Sequence, residues 1–222
     1  RCHQLNLFPI SINHKLLYNN IIYLDISGGT VFILPQEMIL LTHLKINNCF
    51  NLMSVPHYPS LKRCTISNCP ISSDNIFLQT NLKSLTLSHC NNILTIPQNL
   101  IKLVTLLIID CENFHELPNS LFNLSSLYIR ETMISKLYNL PKLKKLQIIN
   151  SLYTGIFTFE SDLLNLEILY LQSVWIEILP ISLKLKYLHI ISCPYMNITY
   201  DNLIYFKTDI NYLPSTNKSN NS

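Results

Sequence analysis

The chain has 222 residues, of which 48% are hydrophobic and 13% charged, and its formal net charge is +3. This composition is typical of a folded domain with a large core and argues against a disordered chain. The charge is too small for the dense basic surface of a nucleic-acid-binding protein, and no apolar stretch reaches the length of a membrane-spanning helix.

A short pattern recurs along almost the whole chain. Its template is L-x-x-L-x-[LI]-x-x followed by Cys, Asn, Thr or Ser. At intervals of 19–23 residues, clear copies begin at Ile21, Leu41, Leu61, Leu82, Leu103, Leu124, Leu143, Leu166 and Leu185. Weaker copies begin at Cys2 and Leu203, which gives about 9–11 repeats. The polar segment 215–222 is predicted to be a disordered tail.

Each repeat predicts one short strand and one return segment. The L-x-L alternation indicates a strand with one buried face, which is stable only when neighbouring repeats stack beside it. About 12 residues remain for the return, which favours extended or 3₁₀ segments over an α-helix. Five prolines share one phase of the return segment, where a missing N–H is harmless; they are Pro35, Pro56, Pro97, Pro118 and Pro180.

Segments such as LKINNCFNLMSVP and LTLSHCNNILTIP resemble the leucine-rich repeat family, in its short form with Cys at the ninth position and Leu-Pro on the back. The resemblance covers residues 2–214 and implies a single domain over residues 1–214. It implies a mostly β solenoid of the α/β type, curved into a horseshoe. A parallel sheet would line the concave face, and short extended or 3₁₀ segments the convex face. Thr132, Ser151 and Val174 depart from the pattern at the ninth position.

The seven cysteines are interpreted mainly as buried structural thiols. Cys49, Cys69, Cys90, Cys111 and Cys193 all occupy the ninth position, where the side chain turns inward. A disulfide or a metal site remains an alternative, although stacked equivalent residues point their Cβ atoms in the same direction, which suits an S–S bond poorly. With three glycines and no nucleophile that has a predictable His and acid partner, the sequence predicts no cofactor, no metal and no enzymatic activity.

The third, fifth and seventh positions of each repeat are predicted to point away from the core. In the first half of the chain these positions are mostly small and polar, but from the fifth repeat they become apolar and aromatic. The candidate partner-binding residues are Leu107, Ile109, Tyr128, Arg130, Ile149, Ile168, Tyr170, Tyr187, His189 and Tyr205. Lys145 and Ile191 share these columns. Ordinary β-propensity, or a register shifted by one residue, would be the alternative explanation.

The predicted function is non-enzymatic recognition of a protein partner through the concave face, anchored by Tyr128, Tyr170 and Tyr187. Composition and a start without Met favour a secreted effector or surface protein of an AT-rich eukaryotic parasite. Three sequons, at Asn123, Asn197 and Asn217, would then be glycosylation candidates, and Asn220 in the tail is a fourth.

Two other readings stay open. The first is a cytoplasmic scaffold or regulatory subunit, favoured by the scarcity of capping cysteines at the solenoid ends. The second is an enzyme whose catalytic domain lies outside this sequence. A homodimer that covers the apolar residues is a further alternative to a separate partner, and neither a nucleic acid nor a membrane span is predicted.

Overall fold

The computed structural model describes residues 18–28, 31–73, 79–176 and 178–193, together with the backbone of residues 205–208. Within these residues the chain is a parallel β-solenoid with almost no helix, which confirms the prediction of a mostly β solenoid. The weak first repeat at Cys2 and the tail 215–222 lie outside the described residues.

Twelve short strands follow one another along the described chain. They are β1 (Tyr23–Ser27), β2 (His43–Asn47), β3 (Arg63–Ser67), β4 (Ser84–Ser88), β5 (Thr105–Ile109), β6 (Ser126–Arg130), β7 (Lys136–Leu137), β8 (Lys145–Ile149), β9 (Thr158–Phe159), β10 (Ile168–Gln172), β11 (Tyr187–Ile191) and β12 (Tyr205–Thr208). Ten of them form one parallel sheet in the order β1-β2-β3-β4-β5-β6-β8-β10-β11-β12. The remaining two, β7 and β9, lie on return segments and pair with each other in a second, two-stranded parallel sheet.

In the ten-stranded sheet, whose strands we call the main strands, buried side chains alternate with more exposed ones along every strand from β2 to β11. In β4, for example, Leu85 and Leu87 are completely buried, whereas Ser84, Thr86 and Ser88 face outward and are partly exposed. Because neighbouring strands pair without any offset, equivalent residues of successive repeats stand side by side. Each repeat therefore adds one layer of Leu and Ile to a continuous core.

The residue directly after each main strand from β1 to β11 adopts a left-handed backbone conformation. These residues are Gly28, Asn48, Asn68, His89, Asp110, Glu131, Asn150, Ser173 and Ser192, with φ between 49° and 72°. In the first eight of them, the backbone N–H donates to the carbonyl at the end of the next strand, as Asp110 does to Arg130 at 2.9 Å. The left-handed residue thus turns the chain off the sheet while keeping one more bond between repeats.

The ninth-position cysteines form a buried ladder of thiols. In all five of them Sγ donates to the carbonyl two residues earlier, at distances from 3.1 to 3.4 Å. Cys111 Sγ also accepts the backbone N–H of Cys90 at 3.4 Å. The thiol is therefore used as a small polar group that completes the backbone hydrogen bonds of the turn.

A second ladder runs along the edge where the main strands begin. The residue before the repeat leucine alternates between Asn and Lys from Asn81 to Lys184. Each Asn donates its side-chain amide to a carbonyl of the preceding repeat, as Asn123 does to Ile101 at 2.8 Å. The next lysine donates Nζ to that same Asn, at distances from 2.6 to 2.7 Å.

Candidate functional site

The outward face of the ten-stranded sheet carries the predicted partner-binding residues. Except for Tyr205, these residues lie on strands β5 to β11, at the positions whose side chains are partly or fully exposed. None of these side chains points into the core. The one-residue register shift considered as an alternative does not occur. The backbone of Tyr205 is in β12, opposite Tyr187, but its side chain lies outside the described residues.

The fifth positions form the central column of this face. Strand pairing sets Leu107 beside Tyr128 and Tyr170 beside His189, with Gln147 between the two tyrosines. The rings of Tyr170 and His189 meet edge to face, with 4.6 Å between their centroids. The Tyr170 hydroxyl donates to Gln172 Oε1 at 2.8 Å, which fixes the direction of the ring. The sequence reasoning omitted Gln147, although it occupies the same position of the repeat as the residues chosen.

Two apolar columns flank the central one. On the side where the strands end, Ile109, Ile149 and Ile191 are partly exposed at the seventh position. On the side where the strands begin, Ile168 lies beside Tyr187, whose side chain is 45% exposed. These columns and the central one define the outer patch: Leu107, Ile109, Tyr128, Arg130, Gln147, Ile149, Ile168, Tyr170, Tyr187, His189 and Ile191.

Arg130 is held in place by a carboxylate on its own surface. Its Nε donates to Asp110 Oδ1 at 2.8 Å, and Nη2 donates to Oδ2 of the same side chain. His89 Nε2 lies 3.5 Å from that carboxylate on the other side. The bonds from Arg130 hold the pKa of Asp110 below its usual value. The guanidinium is therefore ordered before any partner arrives, while 37% of its side chain remains exposed.

The same face is polar over the first strands. Thr65, Ser67, Thr86 and Ser88 fill the fifth and seventh positions of β3 and β4. The first pair of strands adds an ion pair between Lys45 Nζ and Asp25 Oδ2 at 3.5 Å. The sheet face thus divides into a polar half, over β1–β4, and the apolar outer patch, over β5–β11.

The cysteines and histidines do not converge on a reactive centre in the part of the chain that the structure describes. No group of three or more His, Cys, Asp or Glu side chains there is placed to hold a metal ion. The six described cysteines are free thiols and buried. Burial raises the pKa of the Cys64 thiol to about 12, which keeps it protonated. His43 and His189 lie on the outward sheet face, and His115 is exposed on a return segment.

One of the four sequons, Asn123, lies within the described residues. The amide of Asn123 is engaged in the Asn–Lys ladder, since it donates to the Ile101 carbonyl and accepts from Lys142. A glycan on Asn123 would replace one of the amide hydrogens in this ladder. Outside the described residues lie Asn197, Asn217 and Asn220.

Two comparisons of the sequence with known proteins yield no match. No protein-family model matches the chain, and no curated protein matches it either. Among the described residues, no helix has the length and apolarity needed to cross a lipid bilayer. The fold and outer patch therefore define a class, a parallel β-solenoid with an apolar outward face, and the function is argued from the patch itself.

Proposed function

We propose that the chain is a non-enzymatic recognition protein that binds a protein partner through the outer patch. The observation that carries the proposal is the continuity of the patch: apolar and aromatic side chains stand side by side on five neighbouring strands of the main sheet, β5, β6, β8, β10 and β11. Contiguous apolar surface of this kind marks interaction sites, and Tyr and Arg are the side chains that most often anchor them.

Rigidity of the patch supports the same proposal. Tyr170 is fixed by His189 and Gln172, and Arg130 by Asp110, so these side chains lose little freedom when a partner binds. Preorganised side chains bind more tightly because less conformational entropy is lost on association. Ordinary β-propensity accounts for single outward Ile or Tyr residues, but it does not account for their concentration on β5–β11, since Tyr23 is the one outward Ile or Tyr on β1–β4.

We further propose that the solenoid belongs to the leucine-rich repeat class and that the outer patch lies on the concave side of a horseshoe. Repeats of 19–23 residues with one strand of the main sheet each, a left-handed residue after that strand and an inward ninth position support this assignment. Small-angle X-ray scattering separates a curved stack from a straight one. A profile that fits only a straight rod would contradict the horseshoe.

The proposed compartment is extracellular, with a partner on a host or neighbouring cell. The alternative, a cytoplasmic scaffold or regulatory subunit, uses the same surface and is favoured by the six buried free thiols, because disulfides are common in secreted proteins. Immunoblotting of the culture medium and of washed cells from the native source separates the two.

The function is tested by parallel affinity capture with three baits. One is the unchanged protein, and the second carries Tyr128→Ala, Tyr170→Ala and Tyr187→Ala. The third is a matched control with Tyr23→Ala, His43→Ala and Arg63→Ala, at outward positions of the polar half. All three must give the same melting temperature before use.

A partner retained by the first and third baits and lost from the second supports the proposal. A partner retained equally by all three would move the interaction to another surface. Sedimentation of the purified protein as a dimer that the tyrosine substitutions dissociate would identify the partner as a second copy of the chain.

A further inference from the structure

The edge where the main strands begin is strongly basic, in contrast to the small charge of the whole chain. Seven of the 16 basic residues lie there, in the residue directly before or directly after the repeat leucine. They are Lys62, Lys83, Lys102, Lys142, Lys144, Lys184 and Lys186, all of them exposed. Glu167 is the one acidic residue at these two positions among the described repeats, and it pairs with Lys144 at 3.5 Å. We call this surface the basic edge.

Most of these lysines keep their charge uncompensated. Lys102, Lys142 and Lys184 donate to the neutral side chains of Asn81, Asn123 and Asn165. The Asn–Lys ladder therefore holds ammonium groups in a row without neutralising them. By contrast, Asp110, Glu112 and Glu131 lie on the opposite edge, where the strands end, so the charges are separated between the two edges.

A row of apolar side chains runs alongside the lysines. The residue two before the repeat leucine is apolar in seven repeats: Ile39, Pro59, Ile101, Phe122, Pro141, Leu164 and Leu183. The five large side chains in this row are between 49% and 80% exposed. Single exposed apolar residues are normal, but equivalent residues of stacked repeats are neighbours, so these side chains form two contiguous runs, separated by Thr80 of the intervening repeat.

Pro59 of the apolar row and three of the lysines line a shallow groove near the first strands. The groove has a volume of about 540 Å³ and is lined by Ile22, Leu40 and Pro59 together with Lys62, Lys83 and Lys102. Three lysines beside Ile22, Leu40 and Pro59 suit an anionic group that is attached to a hydrocarbon chain.

We infer that the basic edge binds the surface of an anionic lipid bilayer. The apolar row would enter the boundary between headgroups and acyl chains, and the lysines would contact lipid phosphates and carboxylates, as in other peripheral surfaces of this composition. Bilayers fit better than nucleic acid because a phosphate backbone offers no partner for the apolar row. The basic edge and the outward face of the sheet are different sides of the solenoid. The outer patch therefore stays accessible when the edge is bound to a bilayer.

The inference is tested by co-sedimentation of the full chain with lipid vesicles. The protein is expected to bind vesicles of phosphatidylcholine containing about a quarter phosphatidylserine, and not vesicles of phosphatidylcholine alone. Binding should fall as salt is raised, since exposed charges are screened.

Two variants and two matched controls identify the surface. The double substitution Lys62→Gln and Lys83→Gln should weaken binding about 25-fold, because each lysine near an anionic surface contributes about fivefold. The triple substitution Ile101→Ser, Phe122→Ser and Leu164→Ser should weaken it by roughly tenfold or more. Each variant has a matched control that carries the same kind of change away from the basic edge. The control for the lysine variant is Lys45→Gln with Lys136→Gln, and the control for the serine variant is Phe50→Ser, Met53→Ser and Leu152→Ser. Both controls should bind vesicles as the unchanged protein does.

A fluorescence measurement tests insertion without a disruptive substitution. Trp175 is the single tryptophan and is replaced by Phe, and Phe122→Trp then places a reporter in the apolar row. Its emission should shift to shorter wavelength on addition of the phosphatidylserine vesicles. No sedimentation with these vesicles, or no emission shift, would overturn the inference. The inference would also be overturned if duplex DNA bound as tightly as the vesicles and the serine substitutions left its affinity unchanged. The edge would then bind polyanions in general.

Discussion

Arg130 and Asp110 form an ion pair with two hydrogen bonds that joins the ends of β5 and β6. Asp110 is the left-handed residue that follows β5, and Arg130 is the last residue of β6, so the pair spans two neighbouring repeats. It lies at the rim of the outer patch and fixes its only arginine. The turn that ends a strand therefore also orders a side chain of the proposed binding surface.

Replacing Asp110 by Asn tests this pair. Asn tolerates the left-handed conformation but cannot form the ion pair, so the free energy of unfolding should fall by about 0.5–1 kcal/mol near neutral pH. The pKa of Asp110 is lowered in the folded protein, so its contribution is present above the usual carboxyl pKa and is lost as the pH falls through the lowered value. Urea unfolding of both proteins should show the difference shrinking below roughly pH 4. A difference that is constant down to the lowest accessible pH would contradict the pair.

The left-handed turn at Ser173 should be stabilised by glycine. A residue with a Cβ at φ 52° is strained by about 1–2 kcal/mol, and glycine relieves this strain at an entropic cost of about 0.5–1 kcal/mol. Ser173→Gly should therefore raise the free energy of unfolding by about 0.5 kcal/mol. Ser126→Gly, in strand β6, should lower it by a similar amount. If both substitutions destabilise the protein, the turn geometry is wrong.

The thiol ladder predicts a sharp difference in cysteine reactivity. Six cysteines are buried, so a thiol reagent should modify them only after denaturation, without any reductant. Cys111→Ala removes the acceptor of the Cys90 N–H and should destabilise the fold by about 1–3 kcal/mol. Fewer than six newly reactive thiols on unfolding would indicate that some are joined in disulfides, against the ladder.

The Asn–Lys ladder predicts that Asn123 contributes to stability. Asn123→Ala removes one hydrogen bond to Ile101 and one from Lys142, and it should lower the free energy of unfolding by about 1 kcal/mol. Asn119, an exposed asparagine on a return segment, is the control, and its change to Ala should stay within about 0.5 kcal/mol. Equal effects at the two sites would show that the ladder adds nothing.

The repeat made the strands and their register predictable from the sequence. Leu85 and Leu87 alternate with Ser84, Thr86 and Ser88 so regularly that only one face of β4 can be buried. The constant position of each strand within its repeat extends this register to strands such as β5, which is apolar on both faces. The ninth-position cysteines were placed by the same logic, because a position that repeats in sequence repeats in space.

Features that depend on contacts between repeats were not predicted. The left-handed residues were not predicted, although Gly, Asn, Asp or Ser at most eighth positions was an available signal for this conformation. The Asn–Lys alternation was also visible in the sequence once the repeats were aligned. The small sheet of β7 and β9 had no such signal, since two-residue strands form where the return segments happen to lie parallel.

The most direct test of the account compares two tyrosines at the same strand position. Tyr187 on β11 and Tyr23 on β1 are 45% and 59% exposed, so neither substitution by Ala should unfold the protein. With the captured partner purified, calorimetry should show binding about 30-fold weaker for Tyr187→Ala and unchanged for Tyr23→Ala. Equal affinities for the two variants would contradict recognition through the outer patch.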